Sequence, residues 1–306
     1  GAGRLSEAID LFEQVLAVRL RATEPDHPDI LASRNNLAGA YELAERLDDA
    51  IHLFEQNLAD CERIMGPDHL DTLASRNNLA GVYKSAGRLS QAIDLYERTL
   101  ADQLRVLGPD HPDTLVFRSN LADAYESAGR LDEAIDLLEQ SLSDRLRVLG
   151  PDHPDVLITR NNLANAYRSA GRLERSIRLL EQNLTDHERI LGPDHPRTLI
   201  SRNNLAGSYR EADRLDEAID LYERDLADGL RILSPDHPYI FNSRNNLAGT
   251  YYVAGRLDEA IPLFERTLAD RERVLGPDHP DVLVTRNNLA LAYRAAGRLD
   301  EAIDLL

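Results

Sequence analysis

Acidic and imidazole groups stand side by side at regular intervals along this chain. Asp26-His27 sets the pattern. His69, His111, His153, His195, His237 and His279 repeat it behind Pro67, Pro109, Pro151, Pro193, Pro235 and Pro277, in steps of 42 residues. An Asp–His pair can orient an imidazole for general acid–base work. Seven like copies at that spacing argue otherwise, because catalysis needs one constellation and metal ligands need close spacing. The phrase reads better as a helix start. Asp26 or His27 would cap, and Pro28 suits a first helical position, where its missing N–H costs nothing. Repeated Glu-Ala-Ile-Asp phrases offer paired carboxylates, the equipment of glycoside hydrolysis. Their recurrence on one helix face predicts a solvated surface. Cys61 is the single cysteine and aligns with Gln103, Arg145, His187 and Arg271, which predicts an exposed, incidental thiol. His52 and His187 are likewise predicted to be exposed. No phosphate-binding loop, nucleophile elbow or His-Glu-x-x-His is present. The sequence therefore predicts a non-catalytic protein with no cofactor and no metal.

What must position these residues is a repeat. Arg-Asn-Asn-Leu-Ala begins at Arg34, Arg76, Arg160, Arg202, Arg244 and Arg286, and reads Arg-Ser-Asn-Leu-Ala at Arg118. Gly-Arg-Leu recurs at Gly3, Gly87, Gly129, Gly171, Gly255 and Gly297, with Glu45 and Asp213 in place of glycine in two copies. Three phrases in one 42-residue register mean stacked supersecondary units. The predicted layout is a single array over 1–306. A lone second helix occupies 1–24, full repeats occupy 25–66, 67–108, 109–150, 151–192, 193–234 and 235–276, and a shortened repeat occupies 277–306. The chain opens and stops inside second helices, which predicts a piece of a longer array with apolar ends able to stack head to tail.

Each unit carries two helical patterns. The first runs from about Pro28 to Ala44, with Leu31, Leu37, Ala38 and Tyr41 on one face. The second runs from about Asp48, its predicted cap, to Met65, with Ala50, Ile51, Phe54, Leu58 and Met65 as an apolar stripe. Gly66-Pro67 ends it. Neither pattern alternates like a strand, so the fold class is all-α.

Composition narrows the function classes. Asp and Glu total 53 against 35 Lys and Arg, for a formal net charge of −18. A general nucleic-acid binder is disfavoured, since phosphates would be repelled. No apolar run is long enough to span a bilayer. A single free cysteine is compatible with a cytoplasmic location.

Leu37, Ala38, Tyr41, the turn glycine at Gly87, Ala50, Phe54 and Pro67 together resemble the tetratricopeptide repeat. Arg34 stands where that pattern has tryptophan, and the unit is longer than the usual one. The 42-residue form with Pro-Asp-His-Pro and Asn-Asn-Leu-Ala is similar to the kinesin light chain type, also found in bacterial signalling proteins. The resemblance implies a right-handed superhelical solenoid of antiparallel helix pairs. Its first helices would line a concave groove that binds peptide or protein segments.

On a helical wheel, Arg34, Leu37, Ala38 and Tyr41 face the stack, which leaves Ala32, Asn35, Asn36, Gly39, Glu42 and Leu43 for the groove. An Asn amide both donates and accepts, which suits an extended peptide backbone of any sequence. The candidate peptide-binding columns are Asn35, Asn77, Asn161, Asn203, Asn245, Asn287 and Asn36, Asn78, Asn120, Asn162, Asn204, Asn246, Asn288. Ser119 interrupts the first. The competing reading is a ladder of Asn bonds between neighbouring first helices that serves the stack alone. Positions that differ between units are the better guide to specificity. Glu42, Lys84, Glu126, Arg168, Arg210, Tyr252 and Arg294 share one such position. Together with Asp123, they predict an acidic N-terminal half and a basic C-terminal half, where Arg168, Arg210 and Arg294 would grip an acidic segment or a carboxylate. Arg34 and its equivalents are predicted to pair with Glu13, Glu55, Glu97, Glu139, Glu181, Glu223 and Glu265 in an Arg–Glu ladder between layers. The leading expectation is a protein- or peptide-binding scaffold. The alternatives are a ligand-sensing segment of a larger signalling ATPase and a structural, self-associating array.

Overall fold

The computed structural model of the chain describes residues 2–24 and 26–305. Gly1, Pro25 and Leu306 lie outside them, so the first Pro-Asp-His phrase is described from Asp26 onward. The described residues form fifteen α-helices and no strand. They group into two compact units, 1–150 and 151–306. The first holds α1 (Ala2–Ala22), α2 (Pro28–Leu43), α3 (Leu47–Met65), α4 (Leu70–Ser85), α5 (Leu89–Val106), α6 (Pro112–Ser127) and α7 (Leu131–Leu149). The second holds α8 (Pro154–Ser169), α9 (Leu173–Leu191), α10 (Pro196–Glu211), α11 (Leu215–Ile232), α12 (Pro238–Val253), α13 (Leu257–Leu275), α14 (Pro280–Ala295) and α15 (Leu299–Asp304). Even-numbered helices are the first helices of the repeats. Within each unit consecutive helices pack on one another, and successive first helices such as α2 and α4, or α10 and α12, also touch.

The Pro-Asp-His phrase builds the start of each first helix. His27 Nδ1 accepts the Asp29 backbone N–H at 3.2 Å, and the other six histidines cap their helices the same way. Asp26 takes a fork of two bonds from Arg63 at 3.0 and 2.6 Å, tying the loop to the end of α3. First helices end in a Schellman turn: Arg46 N–H donates to Tyr41 O at 2.9 Å and Glu45 N–H to Glu42 O at 3.0 Å. The left-handed residue of this turn is a glycine in most copies. Glu45 and Asp213 hold the same conformation, each with φ of 59°. Arg46 then stacks on the Tyr41 ring at 4.0 Å. The second helix starts one residue before its predicted cap. Arg46 is its N-cap, without a side-chain bond, and Asp48 and Asp49 fall in the first turn, where the helix dipole favours them.

The core of each unit is the predicted apolar set. Leu37, Ala38 and Tyr41 pack with Ala50, Ile51 and Phe54 in the first unit, and Leu247, Ala248 and Tyr251 with Ala260, Ile261 and Phe264 in the second. The Arg34 column is buried against the stack as the wheel requires, but its partner differs from the expected glutamate. Arg34 pairs with Asp60, Arg76 with Asp102, Arg160 with Asp186 and Arg244 with Asp270, each at 2.7 Å. The Glu13 column instead accepts from tyrosine: Tyr41 Oη donates to Glu13 at 2.6 Å, Tyr83 to Glu55 at 2.7 Å and Tyr209 to Glu181 at 2.6 Å. Asp60 sits five residues, about a turn and a half, further along α3 than Glu55, level with Arg34. Glu13 belongs to the preceding repeat, level with the Tyr41 hydroxyl. Two more expectations fail. Cys61 and His187 are buried, at 2% and 6% exposure, because a second helix is covered both by its own first helix and by the next one. His52 is exposed as predicted.

Candidate functional site

The Asn columns come together crosswise. Asn78 Nδ2 donates to Asn35 Oδ1 at 2.8 Å, Asn120 to Asn77 at 2.8 Å, Asn204 to Asn161 at 2.8 Å and Asn246 to Asn203 at 3.2 Å. Each such bond links two neighbouring first helices and is worth about 1 kcal/mol net. It uses one of an amide's two donor hydrogens and one of its acceptor lone pairs, so the rest stays open on the half-buried edge. At the Asn245–Asn288 step no such bond forms, and Asn245 Oδ1 is buried without a partner. Asn36 and Asn287 are exposed and Asn162 is half-buried.

In the first unit Asn35, Asn77, Asn78 and Asn120 line a polar crevice of about 400 Å³ with Gly39, Gly81, Glu42, Lys84 and Ser85. Phe54 and Tyr96 also border it. Gly81 leaves the Tyr96 hydroxyl uncovered, since a β-carbon there would lie 3.5 Å from it. Lys84 contacts Asp123, and Glu42 accepts from Ser85 Oγ at 2.9 Å. Glu126 has its carboxyl pushed up by burial and by nearby Asp123. This surface is acidic, with its one lysine neutralised.

The second unit presents the opposite sign. Arg168 reaches over Gly207, where a β-carbon would lie 3.7 Å from Nη1, and Arg210 reaches over Gly249 at the same distance. Arg168 has Glu211 at 3.6 Å. Arg210 and Arg294 have no carboxylate within ion-pair distance among the described residues. Tyr252 is half-buried beside them in sequence position, and Arg294 is exposed.

Helix pairs of this shape, repeated with Asn-Asn-Leu-Ala and a glycine turn, have a family counterpart. The tetratricopeptide repeat profile matches residues 1–59, 34–104, 94–146, 119–185, 160–227 and 232–306. The chain belongs to the tetratricopeptide repeat family. It is similar to a solved putative kinesin light chain of Podosopora anserina with nearly identical TPR-like repeats. Identity is 32%, over 68% of this chain and 98% of that one, with a TM-score of 0.62. BtubC from P. vanneervenii (23% identity, 76% and 94% covered, TM-score 0.63) and the apo form of RapI (13%, 90% and 94%, TM-score 0.63) share the fold. No curated protein matches the chain. Membership of the tetratricopeptide repeat family supports a protein-interaction scaffold.

Sequence reasoning missed a second set of positions in this tetratricopeptide array. At the repeat junctions, Asn57 and Cys61 of α3 meet Ser75 and Asp71 of α4 around a crevice of about 420 Å³. Asn183, His187, Ser201 and Arg197 line the matching crevice of the second unit, about 260 Å³, with Ile158 and Ile200 exposed at its edge. Burial pushes the His187 imidazole down and the Cys61 thiol up, so both stay neutral near pH 7. The signal was in the alignment: Asn57, Thr99, Ser141, Asn183, Asp225 and Thr267 are polar residues inside an otherwise apolar stripe.

Proposed function

We propose that the chain is a non-catalytic scaffold that binds an extended protein segment along its first helices. The open amide groups beside the Asn ladder meet the segment's backbone. In the second unit, Arg168, Arg210 and Arg294 meet acidic side chains or a terminal carboxylate. The observation that carries this reading is the lack of a carboxylate within ion-pair distance of Arg210 and Arg294 among the described residues, whereas the inward-facing Arg34, Arg76, Arg118, Arg160, Arg202 and Arg244 are each paired with an aspartate. An arginine fork left open on a surface floored by glycine suits bidentate contact with a carboxylate. A peptide-library screen against wild type and an Arg168→Glu/Arg210→Glu/Arg294→Glu variant tests it. Acidic peptides should bind wild type, at micromolar affinity, and lose binding to the variant. Unchanged affinity overturns the polarised groove. The location proposed is cytoplasmic, on the single free thiol.

Self-association is a second reading. Leu11, Val15 and Val18 of α1 and Leu299 and Ile303 of α15 are exposed apolar residues. Light scattering that stays monomeric at high concentration removes it.

A further inference from the structure

A glycine lies over a buried tyrosine in each unit, with opposite company. In the second unit the Tyr222 hydroxyl is 3.4 Å from the point where a β-carbon on Gly207 would stand, and Arg168 Nη1 is 3.7 Å from that same point. The chain's own guanidinium thus hangs over the phenol, with the Glu211 carboxylate 3.6 Å from it. Three periods of 42 residues earlier, the matching residues are Tyr96, Gly81, Glu42 and Ser85. The Tyr96 hydroxyl lies 3.5 Å from the corresponding point on Gly81, and no other side chain comes within 4 Å of it. A glutamate stands where the arginine would be, and the space over the phenol is open.

Tyr96 is 4% exposed, and its hydroxyl has no hydrogen-bond partner among the described residues. Unlike Asn245 Oδ1, which is sealed, the hydroxyl keeps open surface, because glycine leaves it bordering the crevice of about 400 Å³. Glu42 lines the same crevice half-buried. It accepts from the neutral Ser85 Oγ at 2.9 Å and has no cation within ion-pair distance among the described residues. Lys84, on the same lining, is taken by Asp123. Burial, then the charges of Asp123 and Glu42, push the Tyr96 phenol up to about 12, so near pH 7 it is a neutral hydroxyl with lone pairs to offer. The crevice therefore holds acceptors and negative charge without a matching donor. A guanidinium supplies donors alone, in a planar fork that can meet two acceptors at once.

We infer that the crevice over Tyr96 binds an arginine side chain of a protein partner, its guanidinium donating to Tyr96 Oη and to the Glu42 carboxylate, in the place that Arg168 fills over Tyr222. The inference goes beyond the acidic-segment reading, which concerns Arg168, Arg210 and Arg294, and stands on the first unit alone.

The probes are capped Gly-Arg-Gly and Gly-citrulline-Gly, alike in shape and different in charge, followed by saturation-transfer NMR on the full chain at low ionic strength. The arginine probe should bind about tenfold tighter, the worth of a charge-assisted hydrogen bond. Glu42→Gln should bring the two probes level. Tyr96→Phe should weaken the arginine probe about fivefold, and it keeps the stack, since Phe54 and Phe264 already fill that position. Gly81→Leu copies Leu291 and lays a side chain over the hydroxyl, so it should exclude both probes while thermal unfolding stays cooperative. Equal binding of the two probes, or no binding of either, overturns the inference. So does an arginine preference that survives Glu42→Gln and Gly81→Leu, which would report diffuse attraction to a chain of net charge −18. If Gly81→Leu does not fold, Glu42→Gln and Tyr96→Phe decide. Charge reversal at Arg168, Arg210 and Arg294 should leave the arginine probe bound. Failure of the acidic-segment reading is thereby told apart from failure of this site.

Discussion

Arg160 and Asp186 offer the sharpest test of how this stack is held together. Their side chains are 2% and 16% exposed, and they meet at 2.7 Å between α8 and α9. Arg34 and Asp60 make the same contact with 11% and 27% exposure. The chemistry is equal and the burial is not. Removing one partner of a buried pair costs about 3–5 kcal/mol, because the other charge stays in a medium that does not solvate it. In Asp186→Ala, Arg160 keeps only a long contact to Asn183 Oδ1 at 3.5 Å. A cost of about 3 kcal/mol is expected, at the low end because part of Asp186 is wet. In Asp60→Ala, water reaches Arg34, and about 1–2 kcal/mol is expected. Urea unfolding followed by circular dichroism measures both. Hydrogen exchange on α8–α9 and α2–α3 localises the loss, since repeat arrays often depart from two-state behaviour. The double change Arg160→Met/Asp186→Leu should recover most of the loss. Equal shifts for the two alanine variants, or a loss below about 1 kcal/mol at Asp186, would show that burial does not set the strength of these pairs.

Three further outcomes are expected. Glu45→Gly and Asp213→Gly should each stabilise by about 0.5–1 kcal/mol in thermal melts, because the left-handed strain relieved exceeds the entropy glycine loses on folding. The bonds from Arg63, Arg105, Arg147, Arg189 and Arg273 hold Asp26, Asp68, Asp110, Asp152 and Asp236 below the usual carboxylate range. Their contribution is complete above the unfolded value of 3.8 and is lost as pH falls through the lowered folded values, so Asp68→Asn/Asp110→Asn should flatten the acid limb of a stability titration. Burial and a glutamate partner push Tyr83, Tyr125, Tyr209, Tyr251 and Tyr293 up to about 12. Stability from these tyrosines is complete below pH 10 and is lost as pH rises towards 12; ionisation near 10 in an absorbance titration of the folded chain would contradict the Tyr–Glu contacts.

The repeat phrases made the helices legible because local chemistry determines them. Proline, a capping histidine and a left-handed glycine act within one turn of chain. Partners across helices were less legible. The wheel turned Arg34 inward, but a wheel carries no height along the helix axis, and height decides between Glu55 and Asp60. Cys61 and His187 were misjudged because their column also contains Arg145 and Arg271. Both arginines are buried and spend their guanidinium groups on a neighbouring first helix: Arg145 on Leu115 O of its own repeat at 2.9 Å, Arg271 on Thr285 Oγ1 of the next at 2.6 Å. A polar residue in such a column signals a junction rather than a surface. The crevices were invisible for a related reason, since each is shaped by what two neighbouring repeats leave unfilled.

The recurring contacts within and between the repeats run over fixed distances in sequence. Between repeats Asn reaches Asn 43 residues away and Tyr reaches Glu over 28; within a repeat Arg reaches Asp over 26 and 37. Excising residues 67–108, or inserting a copy of them, therefore returns every one of these residues to a partner of the same kind. Unequal crossing-over between copies of the coding repeat is then nearly silent for folding. Its visible product is a changed order of junction residues such as Asn57, His187 and Gly229. Such a chain can revise the order of its junctions by recombination, without first passing through an unfolded intermediate in its history.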